Sequence, residues 1–263
     1  MQLDMHVIDA FTDTPFHGNP AAVIYCKQWL PDDLMQAVAT ENNLSETAFC
    51  VANTRGGYDI RWFSPITEIA FCGHATLASA YVRFAADPAL KELTFHAEAV
   101  GDLPVTRRDD GYIQMRFPNR MPEAVTEIPK ALLEGLSSKP DEVWRNEQAY
   151  FAVYYNEEAV LNARPHLEPL KTLAPYDVVV TAPGKRFDFV SRYFWPANGG
   201  IEDPVTGSIH AGLAPFWGPR LDKDQMHAYQ ASSRGGELLC ELDAGGVMVC
   251  GKAAPYLKGQ ITV

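Results

Sequence analysis

Period-two alternation of apolar and polar positions runs through most of the chain, and helical spacing is confined to a few stretches. Residues 3–11 predict a strand with Met5, Val7, Ile8 and Phe11 apolar, and residues 21–26 predict a second one after the turn-rich Thr14-Pro15-Phe16-His17-Gly18-Asn19-Pro20. Leu30-Pro31-Asp32-Asp33 opens a helix, because proline is tolerated at an early helical position and acids suit the positive end of the helix dipole. Leu34 and Val38, with Met35 and Ala39, form its apolar stripe, and Asn42-Asn43 supplies a left-handed stop. Strands are expected at 46–51 and 58–63, then a helix from the Cys72-Gly73-His74 corner to Ala86-Asp87-Pro88. Alternation returns at 93–97, 101–106 and 112–117, and the proline-rich 118–126 reads as a linker. Beyond it a similar order recurs more loosely: helical segments at 128–136, 157–161 and 167–173, and strands at 149–155, 177–181 and 187–194.

Two stretches stand out because they share one design. Thr67-Glu68-Ile69-Ala70-Phe71-Cys72-Gly73-His74 and Glu202-Asp203-Pro204-Val205-Thr206-Gly207-Ser208 are polar corners with one glycine, and each runs into an alanine-rich segment. Small side chains in such a run imply a helix packed closely on all sides. Arg61-Trp62-Phe63-Ser64-Pro65 precedes the first corner and Arg192-Tyr193-Phe194-Trp195-Pro196 the second, an offset of about half the chain that points to duplication. The chain therefore divides into an expected first half at 1–118 and a second at 119–263. A helix start beside a glycine corner presents unpaired N–H groups and the positive dipole end, so each corner is a candidate anion site, or else an ordinary strand-to-helix turn.

Composition narrows the classes. The 263 residues are 47% hydrophobic, enough for a sizeable core. A net charge of -11 without a basic run argues against a nucleic-acid or membrane-surface partner, so an anionic ligand has to be held by local dipoles. Met1-Gln2-Leu3-Asp4-Met5-His6 lacks the features of a signal peptide, no apolar run is long enough to span a bilayer, and five cysteines without C-x-x-C spacing fit reduced thiols; the expectation is a cytoplasmic protein.

Candidate chemistry centres on Glu46. Flanked by Leu44, Ala48 and Phe49, it is either partly desolvated and suited to exchange a proton near neutral pH, or a helix-exit acid in solvent. Asn19, between a glycine and a proline, either caps its own turn or faces a ligand. Arg234, beside Gly235-Gly236, is a carboxylate contact or part of a tight hairpin. Cys72, His74, His17 and His210 do not make a recognisable metal ligand set, and no glycine pattern for a nucleotide is present; neither metal nor cofactor is expected.

Asn43-Leu44-Ser45-Glu46-Thr47, Cys72-Gly73-His74-Ala75-Thr76 and Glu202-Asp203-Pro204-Val205-Thr206-Gly207-Ser208, in this order, resemble the phenazine-biosynthesis PhzF-like proteins. Asp9-Ala10-Phe11-Thr12, Gly18-Asn19-Pro20 and Gln230-x-Ser-x-Arg-Gly-Gly fit the same family, so the likeness spans nearly the whole chain. The resemblance implies an α+β fold of the diaminopimelate epimerase type: two similar halves, each a rolled, mostly antiparallel sheet around a central helix, with the active site in the cleft between them, usually in a homodimer. It also implies a cofactor-free proton shift on a small anionic substrate; the well-studied member isomerises a dihydro-hydroxyanthranilate. Glu46 matches the family's general acid/base, and His74, Asp203 and Ser208 match polar residues around the substrate. Gly73 and Gly207 match backbone donors to its carboxylate, and Asn19 falls on a position that lines the site. The alternatives are a two-base epimerase using Cys72, for which the second corner offers no cysteine, and a binding protein on the same fold.

Overall fold

The computed structural model describes residues 1–263, which form two compact units: Met1–Arg116 with Cys250–Val263, and Phe117–Val249. The linear reading places the last segment with the second half. Strand pairing places it with the first, for a reason given below.

In the first unit, β1 (Gln2–Ala10) and β2 (Asn19–Cys26) pair antiparallel. α1 (Asp32–Asn42) then crosses over so that β3 (Glu46–Ala52) lies parallel to β2, as a parallel pair requires a long connection. Pro31 precedes the helix in an extended conformation, and Asn43 stops it at φ 48, the left-handed conformation anticipated from the paired asparagines. β4 (Tyr58–Phe63) returns antiparallel to β3, and the short β5 (Glu68–Ile69) turns back on β4 and feeds α2 (Gly73–Ala86). β6 (Glu92–Ala97) runs parallel to β4, and β7 (Gly101–Arg107) and β8 (Ile113–Pro118) continue antiparallel.

The second unit repeats these relations. After β9 (Glu123–Ala124) and α3 (Lys130–Gly135), β10 (Glu142–Arg145) and β11 (Ala149–Val153) pair antiparallel. α4 (Glu157–Leu161) and α5 (Leu167–Lys171) carry the chain to β12 (Asp177–Pro183), parallel to β11, and β13 (Phe189–Phe194) returns antiparallel. A 3₁₀ turn at Pro196–Asn198 and β14 (Glu202–Asp203), paired with β13, lead to α6 (His210–Leu221). β15 (Gln225–Gln230) lies parallel to β13 and antiparallel to β16 (Gly236–Asp243), which is followed by β17 (Gly246–Gly251).

The matched Arg-aromatic-Phe-x-Pro segments have one physical role. Arg61 grips Glu68 through Nε and an Nη, both at 2.6 Å, and Arg192 grips Glu202 in the same two-pronged way at 2.7 and 2.9 Å. In each unit a planar guanidinium locks the outgoing strand to the short strand that delivers the glycine corner.

The final strand, β18 (Ala253–Thr262), pairs with β1 along its whole length, from Gln2↔Thr262 to Ala10↔Ala253. This pairing draws 250–263 back to the first unit. α2 packs against β1, β2, β3, β7 and β18, and Ala75, Leu77, Ala78 and Ala80 on it are fully buried. Two of its buried hydroxyls are satisfied within the helix: Thr76 Oγ1 donates to the Cys72 carbonyl at 2.6 Å and Ser79 Oγ to that of Ala75 at 2.7 Å. α6 tolerates an internal proline because a distant segment takes up the freed carbonyl. Pro215 has no N–H for the Ala211 carbonyl four residues back, which accepts the Arg120 N–H at 3.0 Å instead. No helix is long and apolar enough to cross a membrane.

The fold is α+β, two topologically similar units each with a buried helix among strands; α2 is rich in alanine, whereas α6 also buries Phe216 and Trp217.

Candidate functional site

Asn19 and Glu46 begin adjacent parallel strands, β2 and β3, with Ala21 opposite Glu46. The turn before β2 is fixed from its own sequence. Asp9 Oδ2 accepts the Phe16 N–H at 2.8 Å, and Gly18 adopts φ +64, where a Cβ would lie 2.1 Å from the Ala10 carbonyl oxygen. Only glycine fits there. Asn19 is thereby delivered into the interior, fully buried.

The start of α2 brings His74 to the same end of these strands. Its Nε2 lies 2.9 Å from Glu46 Oε2, with the Glu46 side chain 13% exposed. The contact is at ion-pair distance, with the imidazole Nε2 facing the buried Oε2. Behind the imidazole, Asn19 Nδ2 is 3.2 Å from His74 Nδ1, and Ser45 Oγ donates to Asn19 Oδ1 at 3.0 Å. When the ring is neutral, this orientation of the amide makes Nδ1 the acceptor and leaves the ring proton on Nε2, the atom beside Glu46. Burial opposes a charged imidazolium, but the adjoining Cys72 sulphur and Glu46 carboxylate outweigh it and push the proton affinity of His74 up.

Cys72 Sγ is 3.4 Å from His74 Nδ1 and 3.9 Å from Nε2. Burial, reinforced by the charge of Glu46, pushes its thiol up to about 11, so it is protonated at neutral pH. The fold thus adds Glu46 to Cys72 and His74, and the three donor atoms lie within 4.8 Å of one another. Spacing along the chain does not reveal this set, because Glu46 reaches the pair only through the packing of β3 on α2. The first helical hydrogen bond of α2 runs from Thr76 N to the Cys72 carbonyl, which leaves the N–H groups of Gly73 and His74 outside the helix's own ladder.

The second corner is built differently. Three-residue bonds from His210 N to the Gly207 carbonyl and Ala211 N to that of Ser208, at 3.2 and 3.1 Å, form a tight turn ahead of α6, so the Gly207 and Ser208 N–H groups precede the ladder. Thr206 Oγ1 donates to Asp203 Oδ2. Gln230, fully buried, clasps the corner: its Oε1 accepts the Thr206 N–H at 2.9 Å and its Nε2 donates to the Asp203 carbonyl at 2.8 Å. Ser232 Oγ adds a bond to the Pro204 carbonyl at 2.8 Å.

Ser208 is held from behind by residues the sequence does not single out. Gln148 Nε2 donates to Ser208 Oγ and to Tyr193 Oη, each at 3.0 Å, and Tyr193 Oη donates to Asp177 Oδ2 at 2.6 Å. Because Ser208 Oγ accepts from Gln148, its own hydrogen is available to a further acceptor. The Gln230-x-Ser-x-Arg-Gly-Gly motif is the β15–β16 hairpin, as the safer of its two sequence readings has it. Gly235, at φ +65, sits where a Cβ would meet Tyr229 Oη at 2.1 Å. His210 donates from Nδ1 to the Thr206 carbonyl at 2.9 Å, and burial lowers it to about 4. His17 is exposed, with Nδ1 3.2 Å from the Pro15 carbonyl.

Residues 8–259 match the family model described as phenazine biosynthesis-like protein, PhzC-PhzF. The chain is 45% identical over 262 residues to a protein of Pseudomonas aeruginosa named an uncharacterized isomerase, covering 99% of each. It is similar over 100% of both chains, at 42% identity and a TM-score of 0.95, to the crystal structure of a PhzF family phenazine biosynthesis protein from Enterococcus faecalis. A hydroxyproline epimerase from Agrobacterium vitis shares the fold at 11% identity and a TM-score of 0.60, over 99% of this chain and 92% of that one. With its motifs, its duplicated topology and a match over nearly all its length, the chain belongs to the PhzF family of phenazine biosynthesis-like proteins, on a fold shared with epimerases.

Proposed function

We propose that the protein is a cofactor-independent isomerase that moves a proton on a small carboxylate-bearing substrate, with Glu46 as the group that removes and returns it. The observation that carries this reading is the buried contact of Glu46 with His74, 2.9 Å apart at the first turn of α2. A carboxylate shielded from water and held beside an imidazole is positioned to exchange protons with a bound acid, and removing such a group lowers a rate by about 10²–10⁴-fold. His74 steadies the carboxylate and shares its proton, while Asn19, with Ser45 behind it, orients the ring. The Gly73 N–H, at the positive end of α2, is suited to the substrate's anionic end. In this reading the second corner contributes Asp203, Gly207 and Ser208 as further groups that hold the substrate, with the Ser208 hydroxyl as a donor. The protein acts in the cytoplasm as a homodimer.

Solvent-deuterium exchange into small carboxylic acids and cyclic amino acids tests the reading. The wild type is expected to label one of them. Glu46→Gln is expected to abolish labelling while its circular dichroism and melting temperature stay close to wild type, and Cys72→Ala is expected to retain labelling. Loss of exchange in Cys72→Ala alone would transfer the chemistry to the thiol, a reading opposed by its pKa of about 11 and by the lack of cysteine in the second corner. If no acid is labelled and neither variant changes ligand-induced thermal stability, a binding role on this fold replaces the enzymatic one.

A further inference from the structure

The first unit holds a cavity of about 450 Å3 where the last turns of α2 face β1 and β18. We propose that it binds a small aromatic carboxylate, with Arg83 and Lys258 taking the anionic end and Tyr81, Tyr256 and Leu257 lying against the ring.

Arg83 supports this first. It stands in the last turn of α2, roughly 14 Å further along the helix than His74 at about 1.5 Å per residue, so the cavity is separate from the Glu46 contact. Its guanidinium rests over the rings of Tyr25 and Tyr58, with Cζ 5.7 and 5.4 Å from their centroids. Those faces set its position but offer no lone pair in the plane of its N–H groups. No carboxylate pairs with it, and its buried Nε–H has no acceptor. Arg61 and Arg192, by contrast, are each closed by a glutamate. A planar fork without an acid of its own, at the wall of a cavity, suits a planar carboxylate.

The second support is the backbone of β18. Pro255, Tyr256, Leu257 and Lys258 all border the cavity, although successive residues of a regular strand point to opposite faces. The register on β1 slips there: Leu257 stands opposite Val7 and Pro255 opposite Ile8, so Tyr256 is the extra residue of a β-bulge. Such a bulge re-aims side chains and is common beside binding sites. The Tyr256 ring is braced edge-on by Phe16 at 5.6 Å. Charge agrees. Lys258 pairs with His6, whose proton affinity is lowered by burial and then by that ammonium, so His6 is neutral. Arg83 and Lys258 therefore face one acid, Asp4, which accepts from Gln260 Nε2 at 2.9 Å. The lining is net positive in a chain of charge -11. Tyrosine faces and Leu257 favour an aromatic body for the anion, and the volume is that of an ordinary small-molecule site.

The site does not depend on the isomerase reading, and calorimetry of the full chain with 2-naphthoate tests it. Saturable binding at one site per chain, with a Kd of about 1 mM or lower, is expected. Arg83→Met, which keeps an unbranched stem against the tyrosine rings, should weaken binding about 10–100-fold. Lys258→Gln should weaken it about 2–5-fold and Tyr256→Ala about 2–10-fold. Both lie on an exposed stretch of β18, so they test the site even if Arg83→Met fails to fold. The neutral 2-naphthamide should bind at least about 10-fold more weakly than the acid. Equal affinity for acid and amide, or no saturable binding, overturns the proposal. Ser208→Ala should bind 2-naphthoate as the wild type does. Loss in Ser208→Ala with full retention in Lys258→Gln and Tyr256→Ala would place the ligand at the second corner and overturn the site. Tighter binding of 2-naphthyl phosphate than of 2-naphthoate would overturn the assignment to a carboxylate.

Discussion

Glu46 and His210 illustrate how burial acts on single residues. Glu46 stands two residues from Ala48, which is fully buried, and its own side chain is 13% exposed, so the solvent-exposed alternative for this acid is excluded by its place at the head of β3. His210, at the start of α6, is stripped of water and packed against Phe189 with ring centroids 5.9 Å apart. Burial lowers it to about 4 from 6.5, so it is neutral in the fold. Its effect on stability has a definite sign. Between pH 6.5 and 4 the unfolded chain takes up a proton that the folded chain refuses, so His210 contributes full stability above pH 6.5 and loses it as pH falls through that window. The shift corresponds to at most about 3 kcal/mol. Urea titrations from pH 7 to 4 should show this decline in the wild type and a shallower one in His210→Gln. Equal slopes would mean that His210 does not report on acid unfolding.

At the scale of elements, small residues stand on the buried helices where strands and loops crowd them. A Cβ on Gly212 in α6 would sit 2.7 Å from Phe151 Cζ, 2.9 Å from Asn146 Nδ2 and 3.0 Å from the Arg120 carbonyl oxygen. Helix propensity favours alanine over glycine by about 1 kcal/mol, whereas overpacking a tight core costs about 1–3 kcal/mol. Packing wins here, since one of the three obstructing groups is backbone. Gly212→Ala is therefore expected to lower stability in chemical denaturation by up to about 2 kcal/mol, and an increase would show that the neighbours yield freely. The corners obey a similar logic. Gln230 is 24 residues along the chain from Thr206 and Gln148 is 60 from Ser208, yet these amides fix the backbone and the hydroxyl of the second corner.

Across the whole molecule, the chain leaves the first unit after β8 and comes back for β18. Deleting 250–263 would strip β1 of one of its two partners from residues 2 to 10 and remove a strand that packs on α2. The exposed backbone edge and the uncovered helix favour aggregation. The truncated chain is expected to be insoluble or to lose its cooperative thermal transition; if 1–118 were an independent half, removing 250–263 would leave that half folded and soluble. Expression of both lengths, followed by calorimetry, decides between these outcomes.

The family, the two corners and most of the strand and helix order were legible in the order of residues, which also marked Glu46, His74, Asp203 and Ser208 as candidates. Local chemistry is written locally: alternation makes strands, Pro31 and Asn43 bound a helix, and a glycine corner before small residues marks a tight helix start. The neighbours that give those residues their properties were not legible. Ser45, Gln148, Tyr193 and Asp177 look like ordinary polar positions in strands and turns, and the Glu46–Cys72–His74 set joins residues 26 positions apart through β3 packing on α2. Tertiary structure decided these contacts, because burial and hydrogen-bond partnership depend on which distant segments share a face. It also decided that residues 250–263 belong with the first unit, since a strand's place is set by the edge that accepts its hydrogen bonds and not by its position in the chain.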